Sequence, residues 1–229
     1  MSSTEGRCLG LVGGLGPGAT VYYYRELLAA HAAQGRVPRM LIAHADVSRV
    51  MAAAGAKDFG GLADYLAGLI GSMKAGGAEL TAIVALTPHI CIPQLTPISP
   101  LPLIDMVSEV AAEISARKLK RVAMFGTRFT VETRMFGRLD SVDVVMPKPD
   151  EIALIQTIYA DVVAGRSTPT QVDALRQLAR IFIERDGAEA ILLAGTDLST
   201  VFDQSNIDFP AIDCAGVHIK AITEQLLAQ

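Results

Sequence analysis

The sequence predicts an α/β fold of two pseudo-symmetric domains, each with a central, mostly parallel sheet flanked by helices. Three observations predict it. Short, wholly apolar runs alternate with longer amphipathic or Ala-rich stretches, the composition supplies apolar residues for several buried faces, and the two halves of the chain share short motifs in the same order. Of 229 residues, 51% are hydrophobic and 19% charged, against roughly a quarter charged in an average soluble chain. That balance excludes intrinsic disorder. Strands that are apolar throughout are those covered on both faces, the pattern of a parallel sheet between helical layers.

Taken in order, residues 8–12 (Cys-Leu-Gly-Leu-Val) read as a strand, 19–33 as a helix, 40–46 as a strand, 60–75 as a helix and 80–85 as a strand. The second half repeats the rhythm, with strand 121–125, helix 131–139, strand 142–146, helices 151–163 and 169–186, and strand 190–194. Gly77-Ala78-Glu79 precedes an apolar run and then Thr87, while Gly187-Ala188-Glu189 precedes another and then Thr196. Pro102-Leu103-Ile104-Asp105 and Pro210-Ala211-Ile212-Asp213 each lead into a helical pattern, and Gly13-Gly14 has its counterpart in Gly126-Thr127. All three offsets are about 110 residues, which argues for duplication of one α/β unit. The expected domains are 1–98 with 208–229, and 99–207, with a ligand cleft between them.

Composition also removes function classes. No stretch reaches the run of about 20 apolar residues that spans a bilayer, and Glu5 beside Arg7 near the start lacks a basic-then-apolar leader pattern. A soluble, cytoplasmic protein is expected. Cys8, Cys91 and Cys214 are far apart and odd in number, so neither a disulfide scaffold nor a zinc site is expected. A net charge of −4 with no Lys or Arg cluster excludes nucleic acid and anionic membrane as partners.

In open parallel sheets ligands bind beyond the carboxyl ends of the strands, and that is where the motifs fall. Gly13-Gly14-Leu15-Gly16-Pro17-Gly18 follows the first strand. Its spacing matches neither a dinucleotide fingerprint nor a P-loop, and it suits a small carboxylate or an ordinary tight turn. Thr87-Pro88-His89 follows the strand at 80–85, with proline setting His89 at the start of a helix. His89 and His218 are candidates for proton transfer near neutral pH, while His31 and His44 stand outside any pattern. Gly126-Thr127-Arg128-Phe129-Thr130 and Gly195-Thr196-Asp197 follow two strands of the second half. Hydroxyls and free amides at helix starts suit a carboxylate, although Thr130 also reads as a simple N-cap.

As a set these motifs resemble the aspartate/glutamate racemase family, the pyridoxal-independent type, over nearly the whole chain. The pieces are Gly13 to Pro17 with Ala19-Thr20, Thr87-Pro88-His89, Gly126-Thr127 with Thr130, the helix end from Ile158-Tyr159 to Gly165, and Asp213 to His218. The resemblance implies two α/β domains with the substrate between them, a homodimer, no cofactor, and two cysteines that remove and return the substrate α-proton.

This chain departs from the family at those cysteines. Ala85 stands at the first position, in Ala85-Leu86-Thr87-Pro88-His89, and Thr196 at the second, in Gly195-Thr196-Asp197. Ala85 exchanges no proton, and an unassisted hydroxyl is a far weaker acid than a thiol. The expected substrate contacts are Gly14, Leu15, Gly16, Thr87, Thr127 and Thr130. The candidates for proton transfer are Thr196, Asp197, His89 and His218. Three activities fit: an isomerase acting on a small amino or carboxylic acid with altered acid/base residues, a silent small-carboxylate binder, or a decarboxylase or lyase on the same scaffold.

Overall fold

The computed structural model describes residues 6–203 and 206–228; the reading of residues 1–5 as free of a leader pattern falls outside them. The chain forms two units, Met1–Asp105 with His218–Gln229, and Met106–Val217. In the first, β1 (Cys8–Gly13), α1 (Pro17–Ala32), β2 (Arg39–His44), α2 (Val47–Gly55), α3 (Phe59–Ala75) and β3 (Leu80–Ile83) are followed by a 3₁₀ turn at Thr87–Cys91, α4 (Ile92–Leu95) and β4 (Leu103–Ile104). The second holds α5 (Met106–Ala116), β5 (Arg121–Phe125), α6 (Arg128–Glu132), a turn α7 (Arg134–Gly137), β6 (Asp143–Val144), α8 (Pro149–Val163), α9 (Pro169–Glu184), β7 (Ala190–Leu193), a 3₁₀ turn at Thr196–Thr200 and β8 (Ala211–Asp213). The closing helix α10 (Cys214–Leu227) begins in the second unit and ends in the first.

Among the described residues each unit carries one four-stranded sheet, ordered β2-β1-β3-β4 and β6-β5-β7-β8, with every pairing parallel. The α/β class with two parallel sheets therefore stands, and the two orders are the same permutation, as duplication of one unit would give. The sequence placed the joints at 98/99 and 207/208. The units divide later, because β4 pairs with β3 and β8 with β7.

The apolar strands are buried on both faces. Successive side chains alternate, so Val12 and Ile83 join a core with Leu62, Leu66, Ile70 and Met73 of α3, while Leu9, Leu11 and Leu80 on the opposite face are fully buried as well. Gly10 lies on the α3 face, where a Cβ would stand 3.0 Å from the Met73 sulfur. In the second unit Phe125, Ile191 and Leu193 pack with Ile158, Leu178 and Phe182 of α8 and α9. Phe125 lies 6.0 Å from Phe182 and 6.5 Å from Phe209, centroid to centroid. Glu151 joins the two helices: its carboxylate accepts from the Lys148 N–H at the start of α8 (2.7 Å) and from the Arg185 guanidinium after α9 (2.6 Å). Charge and hydrogen bonds together hold the Glu151 carboxyl below its usual range.

The expected helix at 131–139 does not form. After α6, the Thr133 hydroxyl donates to the Phe129 carbonyl (2.7 Å) and accepts from the Phe136 N–H (3.2 Å), drawing the backbone out of the right-handed path. Arg134, Met135, Phe136 and Gly137 then all lie in the left-handed region, with φ of 51°, 55°, 65° and 66°. Met135 is buried at the centre of this turn, and Phe136 packs 5.9 Å from Phe129. A left-handed L-residue is disfavoured by roughly 1–2 kcal/mol. Arg134 is exposed, so Arg134→Gly removes a steric penalty without removing a packed group; it is expected to raise stability to urea by up to about 1 kcal/mol, measured as an increased midpoint at unchanged slope.

Candidate ligand site

The strand orders determine where each unit can hold a ligand. In β2-β1-β3-β4 the chain leaves β1 for one edge and β3 returns on the other side. The loops after β1 and β3 therefore run in opposite directions and open a crevice beyond the strand ends. Those loops are Gly13–Pro17 and Ala85–His89, and in the second unit Gly126–Thr127 after β5 and Gly195–Asp197 after β7. The sequence motifs thus occupy the switch point of each sheet. Gly126 is required there: a Cβ would stand 2.7 Å from the Ala194 carbonyl oxygen, where the ends of β5 and β7 converge.

In the first unit Gly14 is left-handed, with φ +81°. Its N–H donates to the Thr20 hydroxyl (3.0 Å), which donates on to the Gly16 carbonyl (3.0 Å). The amide expected to hold an acid is satisfied inside its own loop. Gly16 is the N-cap of α1, with Pro17 at the first helical position, and Leu15 is half-buried against the α3-side core. Thr87 is half-buried and opens the 3₁₀ turn that follows β3, while Ala85 is buried. His89 lies in this turn, not at the start of an α-helix. Its ring is fully buried, Nδ1 donates to the Ala85 carbonyl (2.9 Å), and Nε2 lies 3.9 Å from the Asp105 carboxylate.

His218 is also fully buried. Nε2 donates to the Ile104 carbonyl (3.0 Å), which leaves Nδ1 of the neutral ring to accept from the Tyr23 hydroxyl (3.0 Å). The two imidazoles stand 6.1 Å apart, edge to face. Burial first, and then His89, push the His218 pKa down to about 3. The cysteines are no better placed for proton transfer. Cys91 donates from Sγ to the Pro88 carbonyl (3.2 Å) and burial pushes its thiol up to about 12. Cys214 begins α10 directly after β8, and burial with the neighbouring Asp213 raises its thiol further.

In the second unit Thr127, not Thr130, is the N-cap of α6. Its hydroxyl accepts from the Thr130 N–H (3.1 Å) and pairs with the buried Thr130 hydroxyl (2.9 Å). Thr196 and Asp197 open the 3₁₀ turn after β7, both buried. Sequence reasoning found Tyr159 only as part of a helix end. In the structure it is buried, its hydroxyl takes a hydrogen bond from the Asp197 backbone, and its ring lies against Gly195, where a Cβ would stand 2.3 Å from Cε2. Glycine before Thr196 was visible in the sequence, but its reason is a ring from another helix. Asp213 at the end of β8 accepts from the Ser199 hydroxyl (2.7 Å) and the Ala215 N–H (3.0 Å), fixing the start of α10.

The structure therefore brings Gly14, Leu15 and Gly16 to the strand end beside that of Thr87, and Thr127 and Thr130 to the one beside Thr196 and Asp197. It sets His89 and His218 together in the buried interior of the first unit. Among the described residues no group of three His, Cys, Asp or Glu is placed to hold a metal ion, and no helix is long and apolar enough to cross a membrane.

Gly195→Ala forces the Tyr159 ring and the Thr196 turn apart, and is expected to lower stability by about 1–3 kcal/mol, with loss of the Asp197 amide's protection from hydrogen exchange. His218 gives a pH signature. Unfolded, its imidazole takes up a proton below about 6.5, whereas the folded ring resists until about 3; its contribution is thus complete above 6.5 and lost progressively as pH falls towards 3. Urea titrations at several pH values should show wild type losing more stability between pH 7 and 5 than His218→Gln.

A family model for Asp/Glu/hydantoin racemase matches residues 12–222. Among solved structures, a protein from Yersinia pestis given as a candidate Asp/Glu racemase is 23% identical, with a TM-score of 0.83 over 96% of this chain and 99% of that one. An aspartate racemase homologue from Pyrococcus horikoshii is 22% identical with a TM-score of 0.80, covering 95% and 98%. Glutamate racemase from Francisella tularensis, solved with D-glutamate, is 12% identical with a TM-score of 0.60, covering 98% and 82%.

Proposed function

Because the chain belongs to the Asp/Glu/hydantoin racemase family, we propose that it acts on a small amino or carboxylic acid held at the strand ends, as an isomerase-type protein whose acid/base groups are not the family's thiol pair. The observation that carries this reading is the pair Thr196–Asp197, a hydroxyl and a carboxylate buried at the end of β7, in the turn held by Tyr159. Thr87, Thr127 and Thr130 supply hydroxyls for the carboxylates of the acid, with the Gly14–Gly16 loop beside them.

In the proposed step the Asp197 carboxylate takes the α-proton, and the electron pair of the C–H bond passes into the substrate carboxylate as an enediolate. Hydroxyl and amide donors stabilise the charge that develops there; return of the proton from Asp197 to the same face gives exchange, whereas inversion takes a proton from water on the opposite face, with Asp197 giving its own proton back to solvent. Ala85 offers no second base at the other matched position. His89 and His218 serve structure in this reading, since their rings are buried and hydrogen-bonded. Independence from pyridoxal and other cofactors and a homodimeric state belong to the same proposal and rest on the family resemblance, while a cytoplasmic location rests on the composition.

A second reading, a silent small-acid binder, is favoured by one observation: the methyl group of Ala85 stands where the family carries a thiol. The two are separated by α-proton exchange of L- and D-aspartate and glutamate in deuterated water, followed by NMR. Exchange that falls at least tenfold in Asp197→Asn, with retained ligand-induced stabilisation, supports the isomerase-type reading. Stabilisation with no exchange supports the silent binder, and neither effect with any of the four acids removes both.

A further inference from the structure

Four histidines occur in the chain, and their surroundings differ sharply. His31 is buried, its Nδ1 bonded to the Leu27 carbonyl within α1 (2.8 Å), and His89 and His218 are buried as described. Among the described residues His44 alone presents an exposed imidazole.

Its position is built by the sheet. Parallel register sets His44, the last residue of β2, opposite Gly13 of β1, and the ladder continues past it through the Ala45 N–H to the Gly13 carbonyl (2.9 Å). The ring then rests on Gly14. A Cβ on Gly14 would stand 2.7 Å from Cε1, 2.7 Å from Nδ1 and 2.8 Å from Cγ of His44. Glycine at this position thus does two things at once, adopting a left-handed turn and leaving the space that seats the imidazole. Within the loop the Gly14 N–H is taken by Thr20 and Pro17 has none, so the ring beside them adds a donor that these two positions lack.

Resting on the proposed function, we infer that His44 is a ligand-contacting residue of the first unit, whose ring N–H donates to a carboxylate of the bound acid beside the glycine loop. The test uses the full chain with ¹³C-labelled histidine. The Cε1–H signal of His44 is assigned by its loss in His44→Phe, which keeps a ring over Gly14 but removes both nitrogens. L- and D-aspartate and L- and D-glutamate are then titrated, with melting temperature measured in parallel. The expected result is a saturable shift of the His44 signal, about tenfold weaker binding in His44→Phe, and partial recovery in His44→Gln, which retains a side-chain N–H. If an acid raises the melting temperature while the His44 signal stays in place, the inference is overturned and the proposed function survives. If none of the four acids changes either readout, both fall together. Should His44→Phe fail to fold, the wild-type signal and His44→Gln decide the matter.

Discussion

The constraint on which the rest depends is the reversal of strand order in each sheet. A parallel sheet buried on both faces has no free surface except at its strand ends, and in the order β2-β1-β3-β4 the crossover from β1 must pass to the opposite edge from the one that carries β3. Two loops are forced apart there, which leaves a crevice beyond the strand ends. The second sheet repeats this arrangement. The positions of the glycines follow from it: Gly126 where two strand ends nearly touch, Gly195 where a helix ring closes over the turn, Gly14 where the chain reverses against an imidazole.

Much of this was legible in the sequence because the signals were local. Continuous apolar runs such as residues 121–125 and 190–194 gave the buried parallel strands, and glycine and threonine after them marked the ends. The helix at 131–139 was misread because its apolar spacing outweighed what Thr133 does: a hydroxyl that bonds backward and forward to backbone ends the right-handed path within one turn. The joints between units are hard to read because β4 and β8 are short, and pairing partners distant in sequence, not local propensity, decide which sheet they join.

The candidate site was legible in part for the same reason. Strand-end threonines are local features, so the positions of Thr87, Thr127, Thr130 and Thr196 after their strands can be read from the sequence. The roles of histidines are not local. α1 brings Tyr23 to His218 and β4 brings the Ile104 carbonyl, and burial favours the neutral form of that imidazole inside the first unit. His44 had no motif around it, and only the β1–β2 register sets it on Gly14.

The buried thiols carry a consequence for redox chemistry. Cys8, Cys91 and Cys214 are all free and buried, and burial holds each thiol protonated well past neutrality. Peroxide and alkylating reagents attack thiolates, and a protonated, enclosed sulfur is slow to enter the oxidation ladder. A protein that works on an acid through a pair of exposed thiolates loses its activity when either is oxidised. This chain exposes no thiol to be lost in that way, since each of its three sulfhydryls is enclosed.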